Sequence, residues 1–249
     1  MSQPRLHTML VDLHENRDQR ILDSLLNHPD YTEFMSLHGL TLARRDLVTA
    51  FIHTSFAHEY EVTDQEQSEF LGDSVLQLIL TEELCRRFPS ENEGKLSKMR
   101  STLVNEKTLS TLSRLLGIEN LILAGKGEFK KNMTALESVQ ADTFEALLCQ
   151  VYKHHGLLFT KNLVLKWYEK FLPEAFDLTI LESFDVKSRL QEKSLARFKK
   201  LPRYTSEARG EQFEIKIWIN DELAAAGVFS SRKNGEKELA QIVLDKGII

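Results

Sequence analysis

A chain of 249 residues with 42% hydrophobic content is long enough for one large or two modest domains with ordinary apolar cores. Its 32 Lys and Arg against 37 Asp and Glu exclude a uniformly basic nucleic-acid binder, yet residues 185–249 hold 13 against 10 and the remainder 19 against 27. The only two cysteines, Cys85 and Cys149, exclude a disulfide framework or cysteine-rich zinc site, and their helical apolar surroundings predict buried free thiols in a reducing compartment.

Residues 1–30 are too charged for a secretory segment, and no apolar run reaches membrane-spanning length. Leu6, Met9, Leu10 and Leu13, then Ile21, Leu22, Leu25 and Leu26, recur at helical spacing and predict a helical extension. From Leu40 to Ser55 the pattern stays helical, with Arg44 and Arg45 facing outward and His53 in a structural, hydrogen-bonded role. The polar stretch Glu59–Asp64 then delivers the chain to Gln65–Leu76, QEQSEFLGDSVL.

That stretch sets Glu66, Glu69 and Asp73 on one face of a helix predicted to run to Arg87 and stop before Pro89. Phe70, Leu71, Val75 and Leu76 put an apolar surface beside the acids. Gly72, worth roughly 1 kcal/mol less than Ala inside a helix, predicts that another backbone or a ligand comes close. Ser90–Gly94 is a loop. Leu96, Met99, Leu103, Leu109, Leu112, Leu115 and Leu116 form a further helical run, broken near Asn105 and ended at Gly117. Leu121–Lys131 is a basic, glycine-containing connection without P-loop spacing. A second acidic helix spans Thr134–Tyr152, with Asp142 and Glu145 among Val139, Phe144, Leu147 and Leu148, and Leu157–Phe171 adds another. Each acid pair alone is compatible with a solvated helical face. Together, set in apolar runs, they are compatible with a pocket of four carboxylates, whose burial would cost several kcal/mol without a compensating cation.

After a linker at Pro173–Phe184 the period changes. Val186–Phe198 is helical, and Arg203–Ala208, Glu211–Ile219 and Leu223–Phe229 alternate as strands, with Phe213, Ile215, Ile217 and Ile219 on one face. Asn220–Asp221 is a turn and Asn234–Lys246 a final helix, giving an α-β-β-β-α order.

EQSEFLGDSVL is similar to the E-x-x-E-F-L-G-D signature helix of the ribonuclease III family, and ADTFEAL to its second acidic motif. LHGLTLARRDLVTAFIHTS and FPSENEGKLSKMRSTLV resemble the opening helices and the segment between the acidic helices. Asp185–Ile249, with KSRLQE and SSRK at its two helix starts, resembles the double-stranded-RNA-binding domain of bacterial members. The likeness covers residues 34–249 in the family's order. It implies an all-α nuclease domain at 31–172, preceded by the extension 1–30, and a small α+β domain at 185–249 beyond the linker 173–184. The activity implied is Mg²⁺-dependent hydrolysis of both strands of duplex RNA, with Mn²⁺ as a substitute. Products would carry 5′-phosphate and 3′-hydroxyl ends, in processing of rRNA and mRNA precursors in the cytoplasm.

Residue by residue, the resemblance makes Glu69, Asp142 and Glu145 metal ligands. It gives Asp73 and Glu145 catalytic roles, with Asp73 orienting the attacking water, and makes Glu66 and Glu93 supporting acids. Lys187, Gln191, Glu192, Arg232, Lys233 and Lys237 become RNA contacts, and the 121–131 connection gains some RNA contact as well. Phe70 and Leu71 would face the partner in a homodimer; no membrane is involved. Two departures stand out: the short RGEQ at Arg209–Gln212, and Asn234–Gly235 where a basic residue and a good helix former are expected. A duplex-RNA-binding protein with an inert nuclease fold would lack one of the four acids. A small-molecule metal phosphohydrolase leaves the C-terminal domain without a purpose.

Overall fold

The computed structural model describes residues 6–177, 186–210 and 212–248, excepting the side chains of Ser188 and Lys233. The chain divides into two compact units, Met1–Ala175 and Phe176–Ile249. The first is helical: α1 (Leu6–Asn16), α2 (Gln19–Leu26), α3 (Pro29–His38), α4 (Arg44–Thr49), α5 (Thr54–Tyr60), α6 (Glu66–Arg87), α7 (Glu93–Leu103), α8 (Glu106–Leu116), α9 (Lys126–Lys130) and α10 (Glu137–Phe171). Asn92 and Asn105 cap the starts of α7 and α8 by accepting from Lys95 N and Thr108 N, which explains the break seen near Asn105. Gly156 (φ 75°, ψ 176°) breaks α10 into two helical halves at a conformation that side-chain-bearing residues rarely adopt.

The core is built where α10 packs along α6 and α8. Val75, Leu76, Ile79, Leu80 and Leu84 of α6, Phe144, Leu147, Leu148 and Val151 of α10, and Leu109, Leu112 and Leu116 of α8 are all buried. Full burial of each such side chain contributes about 1.5–3 kcal/mol. The N-terminal helices belong to the same unit. Leu6, Leu10, Leu13, Leu22 and Leu25 are buried, His14 Nδ1 meets the Tyr60 hydroxyl at 2.7 Å, and Arg17 donates to Glu59 at 3.0 Å.

Two expectations change. Cys149 is buried, but Cys85 is exposed, standing beside buried Leu84 on the outward side of α6. Leu121–Lys131 is not a basic surface connection. Leu121, Ile122, Leu123 and Ala124 are buried, and Leu123 bridges to the α4–α5 segment through Leu123 N–Phe51 O (2.8 Å) and His53 N–Leu123 O (3.0 Å). Lys126 Nζ then donates to the His14 carbonyl at 2.8 Å, and Lys131 pairs with Glu128 at 3.0 Å. His53 is structural, accepting from Ser55 N at 3.2 Å.

Beyond Asp177 the expected linker lies outside the described residues. The second unit contains α11 (Val186–Phe198), β1 (Arg203–Arg209), β2 (Gln212–Ile219), β3 (Glu222–Phe229) and α12 (Arg232–Asp245). The strands form an antiparallel sheet in the order β1-β2-β3, with Ser206 opposite Ile215 and Ile215 opposite Gly227. Asn220 (φ 47°) and Asp221 (φ 68°) make the tight β2–β3 turn, both in the left-handed region that Asn and Asp tolerate. Val186, Leu190, Ile215, Ile217, Ile219, Leu239, Ala240, Val243 and Leu244 form the core between sheet and helices. Gly235, a poor helix former, has a steric reason to be there. A Cβ on it would lie 2.5 Å from the Phe229 ring and 2.6 Å from Ile215 Cδ1.

Candidate metal centre and nucleic-acid interface

Helices α6 and α10 touch at the backbone. A Cβ on Gly72 would lie 1.8 Å from the Glu145 carbonyl oxygen, so only glycine permits this approach. Buried hydrogen bonds tie the same two helices, from Thr143 Oγ1 to Gln65 Oε1 (3.3 Å) and from Gln150 Nε2 to Ser68 Oγ (2.8 Å). The contact brings Glu69, from the first turn of α6, to Asp142 and Glu145, one turn apart on α10. One carboxylate oxygen from each lies within 4.8 Å of the others.

Three half-buried acids so close resist ionisation. Burial, reinforced by Asp142, Glu66 and Asp73, pushes Glu69 up to about 7. Burial, then Asp73, Asp142 and Glu69, pushes Glu145 up to about 8. Asp142 is raised by burial and then by Glu106. This donor set fits a hard divalent cation. It offers three carboxylates without histidine or thiolate, still partly open to solvent, where Mg²⁺ wants oxygen ligands and keeps waters.

Asp73 is not one of the converging three. Both its oxygens accept from Gln77 Nε2, at 2.8 and 2.9 Å, and its charge acts on Glu69 and Glu145. Glu66 is exposed and reaches Glu69 through its charge. Glu93, the exposed first residue of α7, is not drawn into the cluster. The sequence reading missed Glu106, which opens α8 and bears on Asp142. Its position after the Asn105 cap was visible; the pairing of α8 with α10 was not.

The raised carboxylates carry a stability prediction. Glu69 and Glu145 hold protons more tightly folded than unfolded, so their contribution is complete below the ordinary glutamate range. It is lost as pH rises through about 7 and about 8. The metal-free protein should therefore melt progressively lower from about pH 5 to about pH 8.5, by about 2–4 °C for each kcal/mol lost. Saturating Mg²⁺ should flatten the profile. Thermal melts with and without EDTA check this, and a flat profile in EDTA contradicts it.

In the second unit, Lys187, the second residue of α11, lies against the Glu236 carboxylate and over the Tyr204 ring at 4.8 Å. Arg232, the first residue of α12, places Nε 3.0 Å from Glu236 Oε1. Gln191 and Glu192 are exposed on α11, and Lys237 is half-buried on α12. The Lys233 side chain lies outside the described residues. Glu236, buried between two of the expected RNA contacts, was not anticipated; its i+4 spacing from Arg232 was the available signal. Elsewhere Phe70 is 80% exposed and Leu78, two turns on, 52% exposed, while Leu71 is half-buried. Among the described residues no helix is long and apolar enough to cross a membrane.

A family model described as Ribonuclease-III-like matches residues 45–172. Ribonuclease 3 of Pseudothermotoga lettingae is 31% identical, the match covering 86% of this chain and 94% of that protein. Ribonuclease 3 of Streptococcus gordonii is 35% identical, covering 80% and 88%. The solved nuclease domain of ribonuclease III from Campylobacter jejuni, reported with structural flexibility in its region involved in dimer formation, is 30% identical. It aligns with a TM-score of 0.54 over 59% of this chain and 99% of that one.

Proposed function

The chain belongs to the ribonuclease III family and is a ribonuclease, and from that premise we propose that it is a Mg²⁺-dependent, homodimeric endonuclease of double-stranded RNA. The observation that carries this reading is the convergence of Glu69, Asp142 and Glu145 at the Gly72 contact. All four acids, with Asp73, are present, against the inert alternative. Glu69, Asp142 and Glu145 would hold Mg²⁺, with Mn²⁺ as a substitute, in competition with the protons that Glu69 and Glu145 hold near neutral pH. When bound, such an ion would supply positive charge where negative charge grows on the scissile phosphate. Asp73, fixed by Gln77, orients the attacking water, and Glu66 supports the site through its charge on Glu69, while Glu93 stands outside the converging acids. Products carry 5′-phosphate and 3′-hydroxyl ends, and the substrates are rRNA and mRNA precursors in the cytoplasm.

The second unit supplies affinity. A-form RNA hides its base edges in a deep major groove, so a protein selects it by phosphates and 2′-hydroxyls. Lys187, Gln191 and Glu192 on α11, and Arg232, Lys233 and Lys237 on α12, would make those contacts, near helix N-termini that favour anions. The direct test is incubation of the full chain with a long duplex RNA, with and without Mg²⁺. Short duplex products only with metal support the reading. Failure to cut duplex RNA in Mg²⁺ or Mn²⁺, or equal cutting of single strands, refutes it.

One site cuts one strand, and the exposed Phe70 with Leu71 supports a twofold partner on that face. Phe70→Ala removes an aromatic anchor worth about 2 kcal/mol or more at the centre of an interface, equivalent to roughly 30-fold in dimer dissociation constant. Sedimentation velocity across a concentration series reads the change. A wild-type protein that is monomeric at micromolar concentration sinks the dimer.

A further inference from the structure

Two of the expected phosphate contacts are not free cations. Lys187 of α11 and Arg232 of α12 both approach the Glu236 carboxylate, Arg232 Nε at 3.0 Å. Lys187 Nζ also lies over the Tyr204 ring, 4.8 Å from its centroid. The exposures differ in a telling way. The Lys187 and Arg232 side chains are 41% and 62% exposed, the Glu236 side chain only 11%. The cations reach solvent, while the anion beneath them is largely shielded from it. Burial alone would raise Glu236, but hydrogen bonds from Lys187 and Arg232 hold it below the usual glutamate range, so it stays charged.

We propose that Glu236 is a resident counter-anion of the RNA surface, a positioning residue that gathers Lys187 and Arg232 to one point and competes with RNA phosphate for both. The inference rests on the duplex-RNA reading above. A phosphate arriving at this point meets two cations already half-satisfied by a carboxylate of the protein itself. Each brings less net charge to the phosphate than a free side chain would, so fewer counterions are released from the RNA. Glu236 thereby lowers duplex affinity and flattens its dependence on salt.

Glu236→Gln keeps the shape and one acceptor oxygen but removes the competing charge. In fluorescence anisotropy with a labelled duplex of about 20 base pairs, long enough for the roughly 16 such domains span, the full chain is titrated in EDTA to prevent cleavage. E236Q should bind several-fold tighter at low salt, with a log–log salt slope steeper by up to about one unit. Glu236→Asp, which keeps the charge, should bind like wild type, and K187Q combined with E236Q should lose the gain. Melting curves of each variant confirm folding. If wild type does not bind duplex RNA at all, the functional reading falls and this inference with it. If wild type binds and E236Q binds equally or more weakly, the counter-anion role alone is overturned.

Discussion

Gly72→Ala should abolish useful cleavage although it adds a single methyl far smaller than any side chain of the site. The new Cβ would sit 1.8 Å from the Glu145 carbonyl oxygen, 2.5 Å from its carbon and 3.2 Å from its Cα. Those are main-chain atoms of a helix, so no rotamer change can make room. Either α6 and α10 separate or one bends locally, and in both cases Glu145 moves relative to Glu69. Overpacking of this kind costs about 1–3 kcal/mol, sometimes more, and a displacement of about 1 Å at a reacting centre costs roughly 100-fold in rate. We expect at least that loss in kcat on duplex RNA, with a lowered Tm. Binding of RNA by the second unit should persist. A G72A protein with wild-type kcat and Tm would show that the helix contact does not control the site.

Glu145→Gln should separate binding from cleavage. The amide keeps the volume and one oxygen, but removes one of three charges that would hold the cation. A metal contributes several kcal/mol of transition-state stabilisation, and each 1.4 kcal/mol is about tenfold in rate. Cleavage should therefore fall by about 1,000-fold or more at millimolar Mg²⁺. Stability moves the other way. Glu145 is pushed up to about 8 mainly by burial and then by Asp73, Asp142 and Glu69. Removing that charge relieves the repulsion, so metal-free E145Q should melt at or above wild type near pH 8. Lys187 and Arg232 belong to the other unit and should still shift duplex RNA in a gel. Near wild-type cleavage would place the ligands elsewhere.

How much could be read in advance depended on whether the cause was local. Pro89 and the run before it fixed the end of α6 at Arg87, and the α-β-β-β-α order followed from period alone. Gly72 in the middle of a helix announced a close approach without saying what approaches. Causes that link distant segments stayed hidden. Glu106 acts on Asp142 only once α8 lies on α10. Leu121–Ala124 looked like part of a basic loop because its pairing partner, Phe51–His53, lies some 70 residues earlier. Gly235 looked like a defect until Phe229 was seen to occupy the space above it. Exposure of Cys85 turns on which side of α6 meets its neighbours, a choice the apolar pattern left open.

The fastening of α1 has a consequence during synthesis. Leu6, Leu10 and Leu13 are buried, and the lysine that grips the end of α1, Lys126, follows His14 by 112 residues. At translation speeds of about 5–20 residues per second, that partner emerges roughly 6–20 s after the helix does. Through that interval the apolar stripe of α1 lacks part of the surface it finally rests on. The extension is thus made well before the segment that holds its end, and in that interval it depends on whatever shields nascent chains.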